Sequence, residues 1–304
     1  MASTFIEVSY NAAHWPWQRP DEPSRARDNG RMLQPIDEDT ATRDDYVAVL
    51  ERADQGVGRI LETLDRLDPR ENSLVIFTND NGGEWLSRNA PLFHRKKTVW
   101  EGGIRVPAIF RWPGRIPAGQ ISSQVGIVID LTASILAPTN SPVPADARLE
   151  GLNLLPILEG RSPAVERTLF FRVNAFGHQQ RVVRQGEWKL MLDGQDTMLF
   201  NLTRDIGERE DLAQRRPDVA RRLRPLLAAW EAEVNQEAEA AGLSPAGGRG
   251  RGQGRGRGAA GQAPGGGRSP ARLEVDSAPF RAASVVPDHA RFRGRRSCPG
   301  VLCS

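Results

Sequence analysis

Residues 74–107 place the tightest constraint on how this chain can fold. A short apolar run with β-branched residues, 74–78, ends abruptly at the sequence NDNGG, residues 79–83. Such a run, bounded by Gly and Asn, predicts a buried strand that ends in a loop. Ligands of open α/β sheets bind outside the carboxyl ends of the strands, so Asp80 and Asn81 are expected at a binding edge.

Asp80 and Asn81 offer adjacent side-chain oxygens, one anionic and one neutral. Hard divalent cations such as Ca²⁺ and Mg²⁺ prefer oxygen ligands of this kind. The glycines that follow, Gly82 and Gly83, permit positive φ and close backbone approach. An Asp-Asn-Gly sequence is also ordinary turn chemistry, so the spacing alone leaves both a metal site and a plain turn open.

The second half of the stretch carries Lys96, five residues before the run EGGIRVP, residues 101–107. The order and spacing of the Asp-Asn-Gly turn, the lysine and this run resemble the sulfatase family, which comprises arylsulfatases and relatives with an alkaline-phosphatase-like fold. The resemblance implies that the Asp-Asn pair belongs to a Ca²⁺ or Mg²⁺ site and that Lys96 binds the sulfate group. Glu101 and Arg105 are expected to form a structural salt bridge, because a buried charge persists only when it is paired.

A histidine near the start of the chain extends the resemblance. Residues 5–10 alternate apolar and polar side chains, which predicts a strand, and they lead into an Ala-x-His-x-Pro run of Ala12, His14 and Pro16. A lone histidine beside tryptophans is otherwise a packed loop residue. The resemblance implies that His14 contacts the sulfate ester and protonates the leaving oxygen. His14 and Lys96 are therefore the expected catalytic and substrate-binding residues.

The nucleophile that the resemblance requires has no counterpart in the 304 residues. Sulfatases carry a Cys/Ser-x-Pro-Ser-Arg segment whose first residue becomes formylglycine, and the hydrate of that group attacks sulfur. The nearest match contains Pro23-Ser24-Arg25, but Asp21 takes the first position and cannot be converted. The chain is therefore expected to correspond to the C-terminal half of a sulfatase, with negligible turnover and weak metal affinity on its own.

The expected fold of residues 1–138 is α/β, with a mostly parallel sheet flanked by helices, as part of a sulfatase domain. Apolar residues recur at three- and four-residue intervals over 40–67, which predicts a helix, and this helix leads into the strand at 74–78. Further strands are predicted at 108–112 and 124–131, with a helix directly after the last of them.

Residues 139–166 are rich in Pro and Gly and are interpreted as a linker to a small C-terminal α+β subdomain at 167–241. Short runs separated by turns predict an antiparallel meander, and an amphipathic helix is expected at 217–234. The four strands are expected at 168–173, 180–184, 188–192 and 198–201. Residues 242–304 are Gly/Arg-rich, a composition that cannot bury a core, so disorder is expected there.

Composition argues against several other classes of protein. No run of about 18 apolar residues is present, so no membrane span is expected, and the N-terminus lacks the pattern of a signal peptide. The two cysteines, Cys298 and Cys303, lie in the tail and provide no disulfide framework for the fold. The Arg-rich tail could bind RNA, but no folded nucleic-acid module accompanies it. The resemblance to sulfatases implies a sulfate ester, aryl or carbohydrate, as the partner, while the compartment and the oligomeric state stay open.

Two alternatives to a sulfatase remain open at this point. Sheet edges and apolar faces left by absent strands would favour a non-catalytic remnant that associates with another chain. A phosphoester or phosphonate hydrolase of the same superfamily would share the metal site and the nucleophile-bearing fold. The EGGIRVP run and the C-terminal segment favour a sulfatase.

Overall fold

A computed structural model describes most of the folded region of the chain. The described residues are 4–14, 17, 19, 41–67, 70–139, 141–144, 147, 149–175, 178–243 and 301–303. Pro16, the run Pro23-Ser24-Arg25, Cys298 and nearly all of the predicted tail lie outside them.

The elements follow one another in an α/β order. In chain order they are α1 (Arg43–Arg66), a 3-10 turn (Arg70–Asn72), β1 (Val75–Thr78), α2 (Glu101–Ile104), β2 (Ala108–Arg111), β3 (Ile121–Ser122), α3 (Ile129–Thr139), α4 (Leu155–Leu158), β4 (Thr168–Ala175), β5 (His178–Gln185), β6 (Trp188–Asp193), β7 (Asp196–Asn201), α5 (Pro217–Ala240) and β8 (Val301–Cys303).

Helix α1 confirms the helix predicted at 40–67 and begins at a capping box. The hydroxyl of Thr42 accepts a hydrogen bond from the backbone N–H of Asp45, and the Asp45 carboxylate accepts one from the backbone N–H of Thr42 at 2.8 Å. These bonds satisfy N–H groups that have no partner within the helix. The side-chain hydrogen bond from Thr42, its backbone N–H and then Arg19 lower the pKa of Asp45 to about 2.

The first sheet has the strand order β1-β2-β8-β3. The α/β class is confirmed, but the pairing differs from the mostly parallel pattern that was expected. Among the described strands, β1 pairs antiparallel with β2, β2 pairs antiparallel with β8, and β3 with β8 is parallel. The reason is that the long loop after β1 returns the chain directly alongside that strand, without the crossover helix that a parallel neighbour needs. Strand β8 also shows that residues 301–303 form regular structure, although they lie within the tail that was expected to be disordered.

Two predicted strands are wrong. Residues 5–10 form no ladder with any described residue, and Phe5, Ile6 and Val8 are largely exposed. Their alternating pattern suits a strand, but such a pattern forms one only where a neighbouring edge is available. Residues 124–131 do not form a strand either, because α3 already begins at Ile129.

Asp130 explains why the apolar run at 124–131 is not a strand. Its carboxylate, which is fully buried, accepts hydrogen bonds from the backbone N–H groups of Ile127 and Leu152, both at 2.8 Å, and pairs with Arg167 at 2.6 Å. A side chain therefore satisfies backbone groups that a sheet would otherwise pair. The segment before α4 is fastened to α3 in this way.

The first hydrophobic core lies under this sheet. Phe110 and Trp112 pack with Leu154, Leu155 and Leu158. The three leucines come from the segment interpreted as a linker, so that segment contributes a short helix and part of the core.

The C-terminal subdomain confirms the predicted meander. Strands β4 to β7 pair antiparallel in sequence order, and α5 confirms the predicted helix. One face of this sheet packs against α5 through Leu190 and Leu223. The opposite face, with Met191 and Phe200, packs against Val99 in the segment just before α2. The meander therefore supports the EGGIRVP segment directly. Among the described residues, no helix is long and apolar enough to cross a membrane.

The buried carboxylate of Asp130 gives a first prediction. Replacing Asp130 with Asn leaves Arg167 without its negative partner and turns an amide NH2 donor toward a backbone N–H donor, so the free energy of unfolding should fall by about 3 kcal/mol. Urea denaturation monitored by circular dichroism measures this change. Asp218→Asn is the control, because Asp218 is an exposed carboxylate that also pairs with an arginine and its loss should leave stability near the wild-type value. Equal effects of the two substitutions would contradict the role of Asp130.

Candidate functional site

Asp80 and Asn81 lie just beyond the carboxyl end of β1, at the edge that the sequence predicted. Asp80 is exposed and Asn81 is half-buried. The hydroxyl of Thr78 donates a hydrogen bond to the carbonyl oxygen of Pro107 at 3.0 Å, which closes the base of the loop between β1 and β2. The loop therefore starts and ends at one place and presents the Asp-Asn pair to solvent.

The two glycine pairs of the loop pack against each other. The backbone N–H of Gly82 donates to the carbonyl oxygen of Gly103 at 2.9 Å. A Cβ atom on Gly82 would lie 2.0 Å from the carbonyl oxygen of Gly102, and one on Gly102 would lie 2.3 Å from that of Phe93. Close backbone approach, rather than positive φ, is therefore what requires glycine at these positions.

Lys96 is held beside the Asp-Asn turn by its own backbone. Its N–H donates to the carbonyl oxygen of Gly83 at 3.0 Å. The side-chain amide of Asn89 adds a second tie, with hydrogen bonds to the carbonyl oxygens of Gly83 at 3.1 Å and His94 at 3.0 Å. The ammonium of Lys96 lies 4.0 Å from the carboxylate of Glu84, and its side chain is one-fifth exposed. The lysine is thus fixed in place and reachable from solvent.

A buried group of charges anchors the other end of the loop. Lys189, in β6, is fully buried, and its ammonium donates to Glu101 Oε1 at 2.8 Å and lies 2.7 Å from Glu208 Oε1. The other carboxylate oxygen of Glu208 accepts a hydrogen bond from the backbone N–H of Glu101 at 2.7 Å. One lysine and one glutamate of the C-terminal subdomain therefore position the first residue of α2.

Arginines complete this group. Arg105 lies 3.2 Å from Glu101, which confirms the predicted salt bridge, and Arg184 lies 4.0 Å from the same carboxylate. Lys189 and Glu208 were not predicted. The signal for Lys189 was present, because within β6 it shares a sheet face with Met191 and so places a cation on an apolar face.

The pKa values of the two buried carboxylates, Glu101 and Glu208, are shifted in opposite directions. Burial alone would raise the pKa of Glu101, but the attraction of Lys189, Arg184 and Arg105 outweighs burial, so this pKa lies below its usual value. Burial raises the pKa of Glu208, and Lys189 and the N–H of Glu101 oppose that rise without cancelling it. Glu101 is therefore the firmly ionised member of the pair.

His14 lies in an exposed turn of the N-terminal segment, where its backbone N–H donates to the carbonyl oxygen of Asn11 at 2.8 Å. This segment packs on α1, since a Cβ atom on Gly56 would lie 2.3 Å from the hydroxyl of Tyr10. The loop after β1 carries Asp80, Asn81 and Lys96, and a backbone hydrogen bond ties Lys96 to Gly83 just after the Asp-Asn pair, whereas the participation of His14 stays a prediction.

The donor set for a cation is only partial. Asp80 and Asn81 have the oxygen chemistry that Ca²⁺ or Mg²⁺ prefers, but Ca²⁺ takes about six to eight oxygen ligands. In the part of the chain that the structure describes, no group of three or more His, Cys, Asp or Glu side chains could hold a metal ion. The described residues therefore fit a fraction of a cation site and no more.

The packed glycines give a prediction with an internal control. Gly102→Ala should lower the free energy of unfolding by about 3 kcal/mol, because its Cβ would press on backbone carbonyl groups that cannot move independently. Gly58→Ala, at an open position of α1, should instead raise stability by about 0.5–1 kcal/mol. Thermal and urea unfolding measure both, and a stability gain in G102A would contradict the close packing.

The buried charges give a prediction about pH. In Lys189→Met, Glu208 loses the ammonium that opposes the rise of its pKa, whereas Glu101 keeps Arg105 and Arg184, so the pKa of Glu208 rises further above that of the unfolded chain. The native state then binds more protons than the unfolded state above the usual carboxyl pKa, and stability falls as pH rises. K189M should lose about 3–5 kcal/mol at pH 8 and less at pH 5.

Urea unfolding at the two pH values measures this, with Lys97→Met as the control because it removes the same charge at an exposed position. Adding Glu208→Gln to K189M should recover part of the loss at pH 8. A K189M variant with the same stability at both pH values would show that the Lys189 ammonium does not keep the buried carboxylates ionised.

Comparison with known proteins gives a consistent family. The model of the sulfatase family matches residues 1–141, and a model described as N-sulphoglucosamine sulphohydrolase, C-terminal, matches residues 91–232. Human N-acetylgalactosamine-6-sulfatase is 39% identical over 139 residues, which cover 43% of this chain and 26% of the human protein. A sulfatase of Formosa agariphila is 31% identical over 221 residues, which cover 62% of this chain and 40% of that protein.

Solved structures agree with these relatives. The crystal structure of Ps i-CgsB superposes with a TM-score of 0.62 at 27% identity, over 73% of this chain and 48% of that chain, and its complex with k-i-k-neocarrahexaose gives the same values. This chain thus spans about a quarter to two-fifths of the length of these curated relatives and about half of the solved one. Over residues 1–232 the chain is a member of the sulfatase family, with the alkaline-phosphatase-like fold of that family.

Proposed function

We propose that this chain is part of a sulfuric ester hydrolase, to which it contributes Asp80 and Asn81 as cation ligands and Lys96 as a sulfate-binding residue. The observation that carries the proposal is the hydrogen bond from the N–H of Lys96 to the carbonyl oxygen of Gly83, at 3.0 Å. This bond fixes the lysine beside the Asp-Asn turn. Membership of the sulfatase family supports the reaction class.

The chemistry proposed for these residues is electrostatic. A sulfate ester bound at this edge would place its anionic oxygens near the ammonium of Lys96, whose side chain is one-fifth exposed and whose backbone is held by Gly83. A cation that is fixed before the reaction stabilises negative charge as it develops in the transition state. His14 is proposed to give a proton to the leaving oxygen. A hard divalent cation, when bound, would supply further polarisation of the sulfate oxygens.

A carbohydrate sulfate is the favoured substrate class. The human relative is named N-acetylgalactosamine-6-sulfatase, and the solved neighbour was crystallised with k-i-k-neocarrahexaose. Phosphoester or phosphonate hydrolysis is the alternative reaction within the same superfamily, and the two family matches support sulfate instead.

The chain by itself is proposed to be nearly inactive. Its 304 residues contain no Cys/Ser-x-Pro-Ser-Arg segment, so no formylglycine nucleophile can form in it. Asp80 and Asn81 would hold a cation weakly, because two residues supply only part of the coordination shell.

A non-catalytic role by association with another chain is the second candidate. Several large apolar side chains are exposed among the described residues, and the most exposed include Phe5 at 66%, Ile6 at 76% and Ile121 in β3 at 78%. Apolar surface of this kind marks sites of association, so a partner chain would cover it in this alternative.

Calcium titration and an activity assay test the proposal together. The full chain should show negligible hydrolysis of 4-nitrophenyl sulfate, with or without Ca²⁺. Calcium at about ten times its dissociation constant, which is expected near the millimolar range, should stabilise the native state by ~1.4 kcal/mol. Asp80→Asn should abolish this response, whereas Asp196→Asn, at the exposed first residue of β7, should preserve it. An unchanged calcium response in D80N would overturn the metal assignment, and calcium-dependent turnover would overturn the inactivity.

A further inference from the structure

An exposed indole and a guanidinium lie next to Lys96 and have no part in the chemistry proposed at the scissile sulfate. We propose that Trp85 and Arg95 form a subsite for an anionic sugar residue adjacent to the sulfate ester. This inference rests on the proposed function and adds a substrate class to it: an oligosaccharide that carries at least two anionic groups.

The position of the pair follows from two contacts across the loop. The Arg95 guanidinium lies 5.4 Å from the centre of the Trp85 ring. The residues directly beside them, Glu84 and Lys96, lie 4.0 Å apart at their charged atoms. Arg95 therefore directly precedes the proposed sulfate-binding lysine, and Trp85 directly follows the glutamate that faces this lysine across the loop. A sugar next to the scissile residue would meet them.

The turn that carries Trp85 is rigid. The backbone N–H and the hydroxyl of Ser87 both donate to the carbonyl oxygen of Glu84, at 2.9 and 2.6 Å. The guanidinium of Arg43, in α1, donates to the carbonyl oxygen of Leu86. These bonds hold the turn from within and from the neighbouring helix, so the indole needs little ordering before it binds a ligand.

Trp85 does not serve the hydrophobic core. It is 51% exposed, whereas Trp112 and Trp17 are each 6% exposed. An indole face on a fixed turn offers apolar area at low entropic cost, which suits the C–H face of a pyranose ring. The exposure of Trp85 therefore argues against a role in the hydrophobic core and is consistent with a ligand-binding surface.

The charge of the loop selects an anionic sugar over a neutral one. Residues 94–97 read His-Arg-Lys-Lys, and both Arg95 and Lys97 are exposed. A guanidinium binds a sulfate or a carboxylate through parallel hydrogen bonds. Arg95 would bind the second anionic group while its planar face stays against the indole.

Nuclear magnetic resonance of the full chain labelled with [15N]Trp and [15N]Lys tests the subsite. The chain has seven tryptophans and three lysines, Lys96, Lys97 and Lys189, so the spectrum is simple, and Trp85→Phe identifies the indole signal of Trp85. The probe is a chondroitin 6-sulfate tetrasaccharide, compared with its desulfated form. Local signals are needed because the Arg-rich tail also attracts polyanions.

Titration of the wild-type chain should shift the Trp85 indole and the Lys96 amide signals along one binding curve. Trp85→Ala should raise the dissociation constant about tenfold, read from the Lys96 amide, and Arg95→Gln should raise it several-fold. Arg215→Gln removes the same charge at an exposed site before α5 and should change affinity less than about twofold. The desulfated probe should bind more weakly than the sulfated one.

The outcomes separate this inference from the proposed function. If Lys96→Ala weakens binding while W85A and R95Q do not, the subsite is wrong and the proposed sulfate site stands. If W85A and R95Q weaken binding while K96A does not, the subsite stands and the role proposed for Lys96 is wrong. Absence of any shift at the Trp85 indole would overturn the subsite, and equal affinity for the desulfated probe would overturn the sulfate-binding role proposed for Lys96.

Discussion

The ammonium of Lys189, enclosed between Glu101 and Glu208, is the interaction on which the candidate site depends most. Glu101 is the first residue of α2, and the same Glu208 carboxylate that meets Lys189 also accepts the backbone N–H of Glu101 at 2.7 Å. The helix start is thus fixed from two directions by the C-terminal sheet. Because Gly102 and Gly103 follow at once and pack on the other arm of the loop, the position of Lys96 depends on a sheet that begins more than 60 residues later in the chain.

Burial of these charges is poorly explained by stability alone. Taking three ions out of water costs more than their mutual attraction usually returns, and apolar residues of similar volume often pack as well. What the ions add is direction, because Glu208 must place one oxygen on the ammonium and the other on a backbone N–H. Neighbouring contacts such as Val99 on Met191 and Phe200 supply apolar area without such an orientation. The apolar contacts therefore hold the sheet and the loop together, and the charged groups set the position and orientation of α2.

The parts of the fold that the sequence predicts are those set by local pattern. Helix α1, the four strands of the meander and α5 follow from periodicity and turn residues within each segment. The position of Asp80 could also be predicted, because it depends only on where strand β1 ends. Lys189 and Glu208 could not be paired with Glu101 in advance, because 88 and 107 residues separate them. The run at 124–131 was mistaken for a strand because an apolar stretch of that length does not distinguish strand from helix, and the decisive contact, from Asp130 to Arg167, is also non-local.

The loop after β1 separates its frame from its ligand-facing groups. Its frame is built from backbone contacts between glycines, the Asn89 amide and the buried charges, and these contacts are all made within the chain. Its outward groups, Asp80, Lys96 and Trp85, reach solvent to different degrees. Such a frame keeps its shape whether or not a ligand is present, so the geometry of the outward groups is set before binding. A preorganised set of this kind selects ligands by the spacing of their charges, which is why a sugar carrying two anionic groups would match this loop better than a single sulfate ester.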